Sequence, residues 1–318
     1  MDVLGRELRT LSYLVLDLET TGVSHHSDRV VELAAFAYTP GEAPRLLLDT
    51  LVDPQRAIPA EASRIHGIQS GDVQGAPTFG QLAQALASLM SSRVVVAHNA
   101  AFDVGMLRAE FRRLSRVDPF PYLCTMRLPK LLGFGDGDWP LRWACQQFGT
   151  PLPRNAHAAR DDAQATCGLL HKLIERSQDI TARELQLSAR RLRLADPFLA
   201  SLGSKLWPAP PKIIHAKQLN LRPRHPPPDA ARRESAAQLY LEAVLAAVED
   251  LRVSDAELAH LTTLRAGLPD KAVEQVHHRI WRYARQLHRE SGYVEGHEAD
   301  REERLRACLL RLGYQPWP

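Results

Sequence analysis

Apolar positions near the start of the chain fall in short runs, not at helical spacing. Leu14-Val15-Leu16 leads without a break into Asp17-Leu18-Glu19-Thr20-Thr21-Gly22. A brief apolar run closed by a turn signal predicts a buried strand running into a turn. Residues 29–38 and 45–52 read as two more strands, joined across Thr39-Pro40-Gly41-Glu42-Ala43-Pro44. With the strand ending at Asp17 they predict an antiparallel meander. The period then changes: helical patterns cover 78–91 and 101–114, with a short apolar strand at 93–97 between them. A longer helical pattern opens after His157 and continues through Leu169, Leu170 and Leu173. Strands first, then strand alternating with helix, predict an α/β fold in which a mixed sheet is covered by helices.

Past residue 180 the pattern is interrupted by proline. Eight of the 22 prolines lie in 181–233, among them Pro208, Pro210, Pro211, Pro223 and Pro226-Pro227-Pro228. They deny this stretch a continuous helix or central strand, although 182–193 lacks breakers and its start reads as helical. From 234 onward the pattern is helical again. Residues 234–249 are rich in alanine and leucine, Ser254-Asp255-Ala256-Glu257 has capping-box spacing, Pro269-Asp270 opens an amphipathic run to Leu287, and a last helix is predicted at 299–312. The reading divides the chain into a first domain at 1–180, a proline-rich linker at 181–233 and a small all-α domain at 234–318.

Charge sharpens that division. The net charge of the 318 residues is only +3, yet 181–233 holds 11 basic against 3 acidic residues, while 1–180 holds 18 against 20 and 234–318 holds 11 against 14. A basic, extended segment either stays solvated as a tether or holds a nucleic-acid backbone by counter-ion release. A hydrophobic content of 45% is ordinary for a soluble protein. Met1 leads into Asp2, Gly5, Arg6 and Glu7 without a basic-then-apolar signal segment, and no apolar run is long enough to span a bilayer. A cytoplasmic protein without a membrane partner is expected. Cys124, Cys145, Cys167 and Cys308 show no C-x-x-C spacing, so buried, reduced thiols are expected too.

Three constellations carry chemistry. Strand side chains alternate faces, so Asp17 and Glu19 project from one side. Such a pair is either a solvated strand end or a site for a hard cation such as Mg²⁺ or Mn²⁺. In His98-Asn99-Ala100-Ala101-Phe102-Asp103, Asn99 is a plausible helix N-cap and Asp103 lies about one turn into the helix. Asp103 there either complements the helix N-terminus or joins the first two acids. In His157-Ala158-Ala159-Arg160-Asp161-Asp162-Ala163 a histidine precedes a helix whose first turns hold two acids, which offers a base and a ligand. The residues alone do not choose between Asp161 and Asp162.

Together and in this order, within about 150 residues, these stretches resemble the D-x-E-T-T-G, H-N-A-x-F-D and H-x-A-x-x-D-A motifs of DEDDh-type 3′→5′ exonucleases. That family includes the proofreading epsilon subunits of bacterial replicative polymerases, ribonuclease T and oligoribonuclease. Ile65-His66-Gly67-Ile68 with Ala76-Pro77-Thr78-Phe79 adds to a similarity covering about residues 10–178. The resemblance implies a ribonuclease-H-like fold and hydrolysis of nucleic-acid 3′ ends with two Mg²⁺ or Mn²⁺. It also implies that Asp17, Glu19 and Asp162 hold the cation that activates water. Asp17 would bridge to a second cation that Asp103 supports, and His157 would be the general base. It selects Asp162 over Asp161. Leu18, Thr20, Thr21, His66, His98, Asn99 and Phe102 would then line the place of the terminal nucleotide of a single strand, DNA favoured over RNA. One departure is Cys124-Thr125-Met126, where relatives often carry an aspartate-threonine pair. The alternatives are an RNA-trimming exoribonuclease and a non-catalytic module that grips 3′ ends. In the linker, Gln218-Leu219-Asn220-Leu221 is similar to the core of peptides that dock on the bacterial sliding clamp, which implies a clamp or polymerase partner. Leu241 to Leu245 with Asp250, Ser254 and Glu257 faintly resembles tellurite-resistance-type helical bundles, with an acidic metal site as the implication.

Overall fold

The structure, a computed structural model, describes residues 5–115, 120–134, 139–155, 157–177, 179–185, 221–224, 240–241, 243–244, 253, 255–290 and 298–314. Five strands form one sheet in the order β3-β2-β1-β4-β5: β1 (Tyr13–Thr20), β2 (Val30–Tyr38), β3 (Arg45–Leu51), β4 (Val94–Ala97) and β5 (Tyr122–Cys124). The first three form the expected antiparallel meander, and β4 and β5 run parallel to β1. With β1 central, both of its faces are covered, so Tyr13 to Leu16 are wholly buried and read as a continuous apolar run without alternation. The strand continues past Asp17 to Thr20. Its partner β2 goes on pairing, Glu19 opposite Glu32 and Thr20 opposite Val30, across a bulge.

Helices flank this mixed sheet, the ribonuclease-H-like arrangement that the motifs implied. Between β3 and β4 come α1 (Ala60–His66) and α2 (Phe79–Met90), and α3 (Ala100–Arg113) follows β4. After β5 come α4 (Leu128–Leu131), α5 (Leu141–Phe148) and α6 (Ala159–Arg176). Thr78 and Gln81 close a reciprocal capping box that fixes where α2 starts. Helix α6 packs across β1 and β2, and α3 lies against β4 and β5. The short elements α1, α4, α5 and β5 carried no pattern, since three or four residues, or two turns, are too few to show a period. What positions the site is the register of β1 with β4, Tyr13 opposite Val94 and Val15 opposite Val96. Two parallel strands so aligned end at the same sheet edge, and the C-terminal edge of an open sheet is where ligands bind.

The chain separates into two compact units, Met1–Leu132 with Leu141–Ala231, and Gly133–Pro140 with Arg232–Pro318. In the second, α7 (Asp255–Arg265), α8 (Asp270–Glu290) and α9 (Glu298–Arg311) contribute to an apolar cluster that includes Val244, Leu261, Ile280 and Leu309. His277 is buried there, with its Nε2 2.7 Å from the Tyr240 hydroxyl. Residues 182–185 form one helical turn, and the rest of the helix expected there lies outside the described residues, as do most of 234–249 and both Asp250 and Ser254. Among the described residues no helix is long and apolar enough to cross a membrane. All four cysteines are buried, and none is in a disulfide.

Candidate active site

The end of β1 supplies the first two acids. Asp17 is half-buried and Glu19 is buried, on the same side of the strand. The strand then turns tightly: the Thr20 hydroxyl donates to the Gly22 carbonyl at 2.6 Å, and the Thr21 hydroxyl donates to Asp28 at 2.8 Å. Asp28 also accepts the Ser24 N–H, and its carboxylate lies so close to Gly22 that a Cβ there would sit 2.5 Å from an oxygen. A side chain at position 22 would therefore have to displace the Asp28 carboxylate. From α1, the buried His66 closes over this turn. The Ile68 N–H donates to its Nδ1, so its Nε2 carries the proton and donates to the Thr20 carbonyl at 3.1 Å.

Strand β4 and helix α3 bring the second group to the same edge. Asp103 is buried and accepts the Leu18 N–H at 3.2 Å, which ties α3 directly to the backbone between Asp17 and Glu19. Asn99 occupies the N-cap position as expected, but in the left-handed region (φ 61°), and its side chain makes no capping bond to the helix. His98 Nδ1 pairs with the Thr125 hydroxyl at 3.0 Å. Phe102 is half-buried, its ring 6.1 Å from that of His25.

The start of α6 supplies the third group, and here the two adjacent acids part. Asp161 turns away, accepting both the backbone and the side-chain N–H of Asn155. Asp162 instead accepts the His157 N–H at 3.0 Å. His157 has φ 59°, unusual for a non-glycine residue and tolerated only where the surroundings fix it. The helix has no capping side chain of its own; its first N–H, from Ala159, is taken by Glu32 of β2 at 3.1 Å. Glu32 is 1% exposed. Sequence reading missed it, though one signal was available: it is the only charged residue in a strand otherwise made of apolar side chains.

These acids act on one another. Burial drives Asp17 well above the ordinary carboxylate range, and the charges of Asp103, Asp162, Glu19 and Glu32 push it the same way. Asp103 is raised by burial against the pull of two backbone N–H groups. Glu19 is pushed up to about 8 by burial, with Glu32 and Asp162 adding to the rise and His157 and Arg224 opposing it. Glu32 rises to about 6, burial outweighing Arg224 and the Ala159 N–H. So much crowded negative charge suits a hard divalent cation. One ligand atom each from Glu19, His157 and Asp162 already lies within 4.8 Å of the others, which puts the imidazole beside two carboxylates whose oxygens are the ligands that Mg²⁺ and Mn²⁺ select.

A further residue enters from far along the chain. Residues 221–224, expected to belong to a solvated or nucleic-acid-holding linker, lie against the end of β3. The Leu51 N–H donates to the Arg222 carbonyl at 2.7 Å, and the Arg222 N–H to the Thr50 hydroxyl at 3.0 Å. Arg224 reaches Glu32 and the backbone carbonyls of His157 and His66. No local pattern marks it. The clamp-like residues Gln218, Leu219 and Asn220 lie outside the described residues.

The RNase T family model, described as exonuclease, matches residues 14–170. A DNA polymerase III subunit epsilon of Treponema pallidum is 31% identical over 169 residues, which cover 52% of this chain and 77% of that protein. A Mycobacterium tuberculosis protein named as a bifunctional exonuclease/endonuclease is 38% identical over 177 residues, 53% of this chain and 27% of that protein. The matched stretch is thus a small part of some relatives. Among solved structures, exonuclease X in complex with 5′ overhanging duplex DNA is similar at a TM-score of 0.44 and 24% identity, covering 55% of this chain and 99% of that one.

Proposed function

This chain belongs to the RNase T exonuclease family, and on that premise we propose that it is a 3′→5′ exonuclease acting on single-stranded ends. Its cofactors in this reading are two divalent cations, Mg²⁺ or Mn²⁺. The observation that carries the reading is the meeting of Asp17, Glu19, Asp103 and Asp162 with His157, from three separate elements, at the C-terminal edge of the sheet. Asp17, Glu19 and Asp162 would hold one cation, and Asp17 with Asp103 would hold the other. When bound, these ions lower the pKa of water and neutralise the charge that builds on the scissile phosphate.

The chain's own groups do the rest. His157, within reach of Glu19 and Asp162, takes the proton from the attacking water. Asp162 holds the His157 backbone through its N–H, which keeps the imidazole beside the acids. In this reading Leu18, Thr20, Thr21, His66, His98, Asn99 and Phe102 line the place of the terminal nucleotide. DNA is the favoured substrate because the relatives are named for DNA polymerase III. A cytoplasmic location and a polymerase or sliding-clamp partner reached through residues 218–221 go with this reading.

Its test is degradation of matched DNA and RNA oligomers, labelled at either end, with Mg²⁺ or Mn²⁺. A 3′ label should leave at once as mononucleotide while a 5′ label shortens stepwise, and EDTA should stop both. Release of 3′-labelled fragments longer than a mononucleotide would overturn the exonuclease reading. Faster cutting of RNA would reassign the substrate, since discrimination there depends on contacts to the 2′-hydroxyl.

A further inference from the structure

Arg224 stands well outside residues 14–170, the stretch that the family model matches, yet its guanidinium lies inside the site. Its Nη1 donates to the His157 carbonyl at 3.1 Å and faces Glu32 at 3.5 Å, while Nη2 donates to the His66 carbonyl. The side chain is 19% exposed and that of Glu32 is 1% exposed, so the pair is withdrawn from water. Glu32 in turn accepts the Ala159 N–H, at the start of the helix that carries Asp162. One planar group therefore joins the His157 turn, the end of α1 and the buried acid of β2. Arginine suits this task, since its fork presents several N–H donors in fixed directions. Two observations show that the joint is built and not incidental. His157 sits at φ 59°, a conformation its surroundings must enforce. The backbone just before Arg224 is itself seated, through Arg222, on Thr50, Leu51 and the Gln74 carbonyl.

We infer that Arg224 is a positioning residue of the active site: it fastens the turn bearing His157 and the turn bearing His66 to Glu32, so that the basic segment completes the site. The inference rests on the nuclease reading above. Losing the clasp frees the His157 turn, and a catalytic group displaced by about an ångström costs on the order of a hundredfold in rate. A segment that merely gripped the nucleic-acid backbone would act differently. It would change affinity, and the effect would depend on salt.

The experiment uses the full chain, wild type against Arg224→Ala, Arg224→Lys and Glu32→Gln, with Lys172→Ala as a control on the ion pair to Glu175. Steady-state kinetics on a 3′-labelled single-stranded DNA are measured with Mn²⁺ at low and high salt. Melting temperature is recorded with and without Mn²⁺, and DNA binding is followed by anisotropy with Ca²⁺ in place of Mn²⁺. Arg224→Ala should lower kcat roughly tenfold to a hundredfold while KM, DNA affinity and the Mn²⁺-induced rise in melting temperature stay within about twofold of wild type. Lysine should recover part of the loss, because one ammonium replaces only part of the fork. Glu32→Gln should reproduce the kcat defect, and adding it to Arg224→Ala should cost little more. Should Arg224→Ala fail to fold, the lysine and glutamine variants decide by the same split between kcat and KM. Unchanged kcat, a loss confined to KM and erased at low salt, or a faster variant would each overturn the inference. A wild-type chain that cuts no substrate removes the nuclease reading itself, a result separable from wild type cutting and Arg224→Ala cutting equally well.

Discussion

At the scale of single residues, the candidate site is a cluster of acids whose charges are kept close by the fold, and the proposed function gives each a separable task. Asp17 is central, since the charges of Asp103, Asp162, Glu19 and Glu32 all reach it. Asp17→Ala should therefore abolish cleavage and also remove the rise in melting temperature that a divalent cation gives, because a ligand stabilises the folded state it binds. His157→Ala should differ, losing on the order of 10²–10⁴-fold in rate while keeping that thermal shift, as befits a general base. Parallel assays of rate and melting temperature separate the two. The raised acids also set a pH dependence. Burial lifts Glu19 to about 8 in the folded chain from the ordinary 4.5, so between these values the folded state holds a proton that the unfolded state has lost. Cation-free protein should accordingly lose stability as pH rises from about 5 toward about 8. Divalent cation should flatten the fall by taking the place of the proton. Scans of melting temperature against pH in EDTA and in Mn²⁺ check this, and a flat EDTA curve would contradict the crowded-acid picture.

Elements contribute by fixing where each group stands, and their ends matter more than their middles. The turn after β1 is closed by Thr21 and Ser24 on Asp28, whose carboxylate leaves no room for a side chain at Gly22. Gly22→Ala must displace that carboxylate, a cost of about 1–3 kcal/mol, and should disturb the Thr20–Thr21 turn that directly follows Glu19. Lower stability in urea together with a lower kcat is the expected outcome. Thr78→Ala makes the contrast. It removes the capping box of α2, away from the acids, and should cost about 1 kcal/mol with kcat unchanged. If both variants lost stability alone, the turn would have no bearing on the chemistry.

Over the whole molecule, two compact units with separate apolar clusters imply two cooperative transitions. The acids proposed to hold the cations all belong to the first unit. Calorimetry of the full chain should therefore resolve two unfolding events, of which Mn²⁺ raises only one, and in Asp17→Ala neither should move. A single transition that shifts as a whole would mean that the units unfold together.

Much of this was legible in the sequence, because it depends on local spacing. Strand alternation puts Asp17 and Glu19 on one face, the apolar runs mark β1 to β4, and a histidine before a helix with acids in its first turns survives as a local arrangement whatever surrounds it. Only the tertiary structure separated Asp161 from Asp162 by geometry, since that depends on Asn155 being at hand to hold the first. It also left Asn99 at the N-cap position without a side-chain capping bond, as the chain leaves β4 in a left-handed turn. Glu32 joined the site through cross-strand register with Glu19, a pairing no spacing along the chain encodes. Arg224 is the extreme case. Its proline-rich surroundings read as a linker, either solvated or held to a nucleic-acid backbone, and only the seating of residues 221–224 on β3 brings its guanidinium to Glu32, His66 and His157. Local pattern records what a residue can do with its neighbours in sequence, and contacts between residues as far apart in the chain as Glu32 and Arg224 are decided by packing alone.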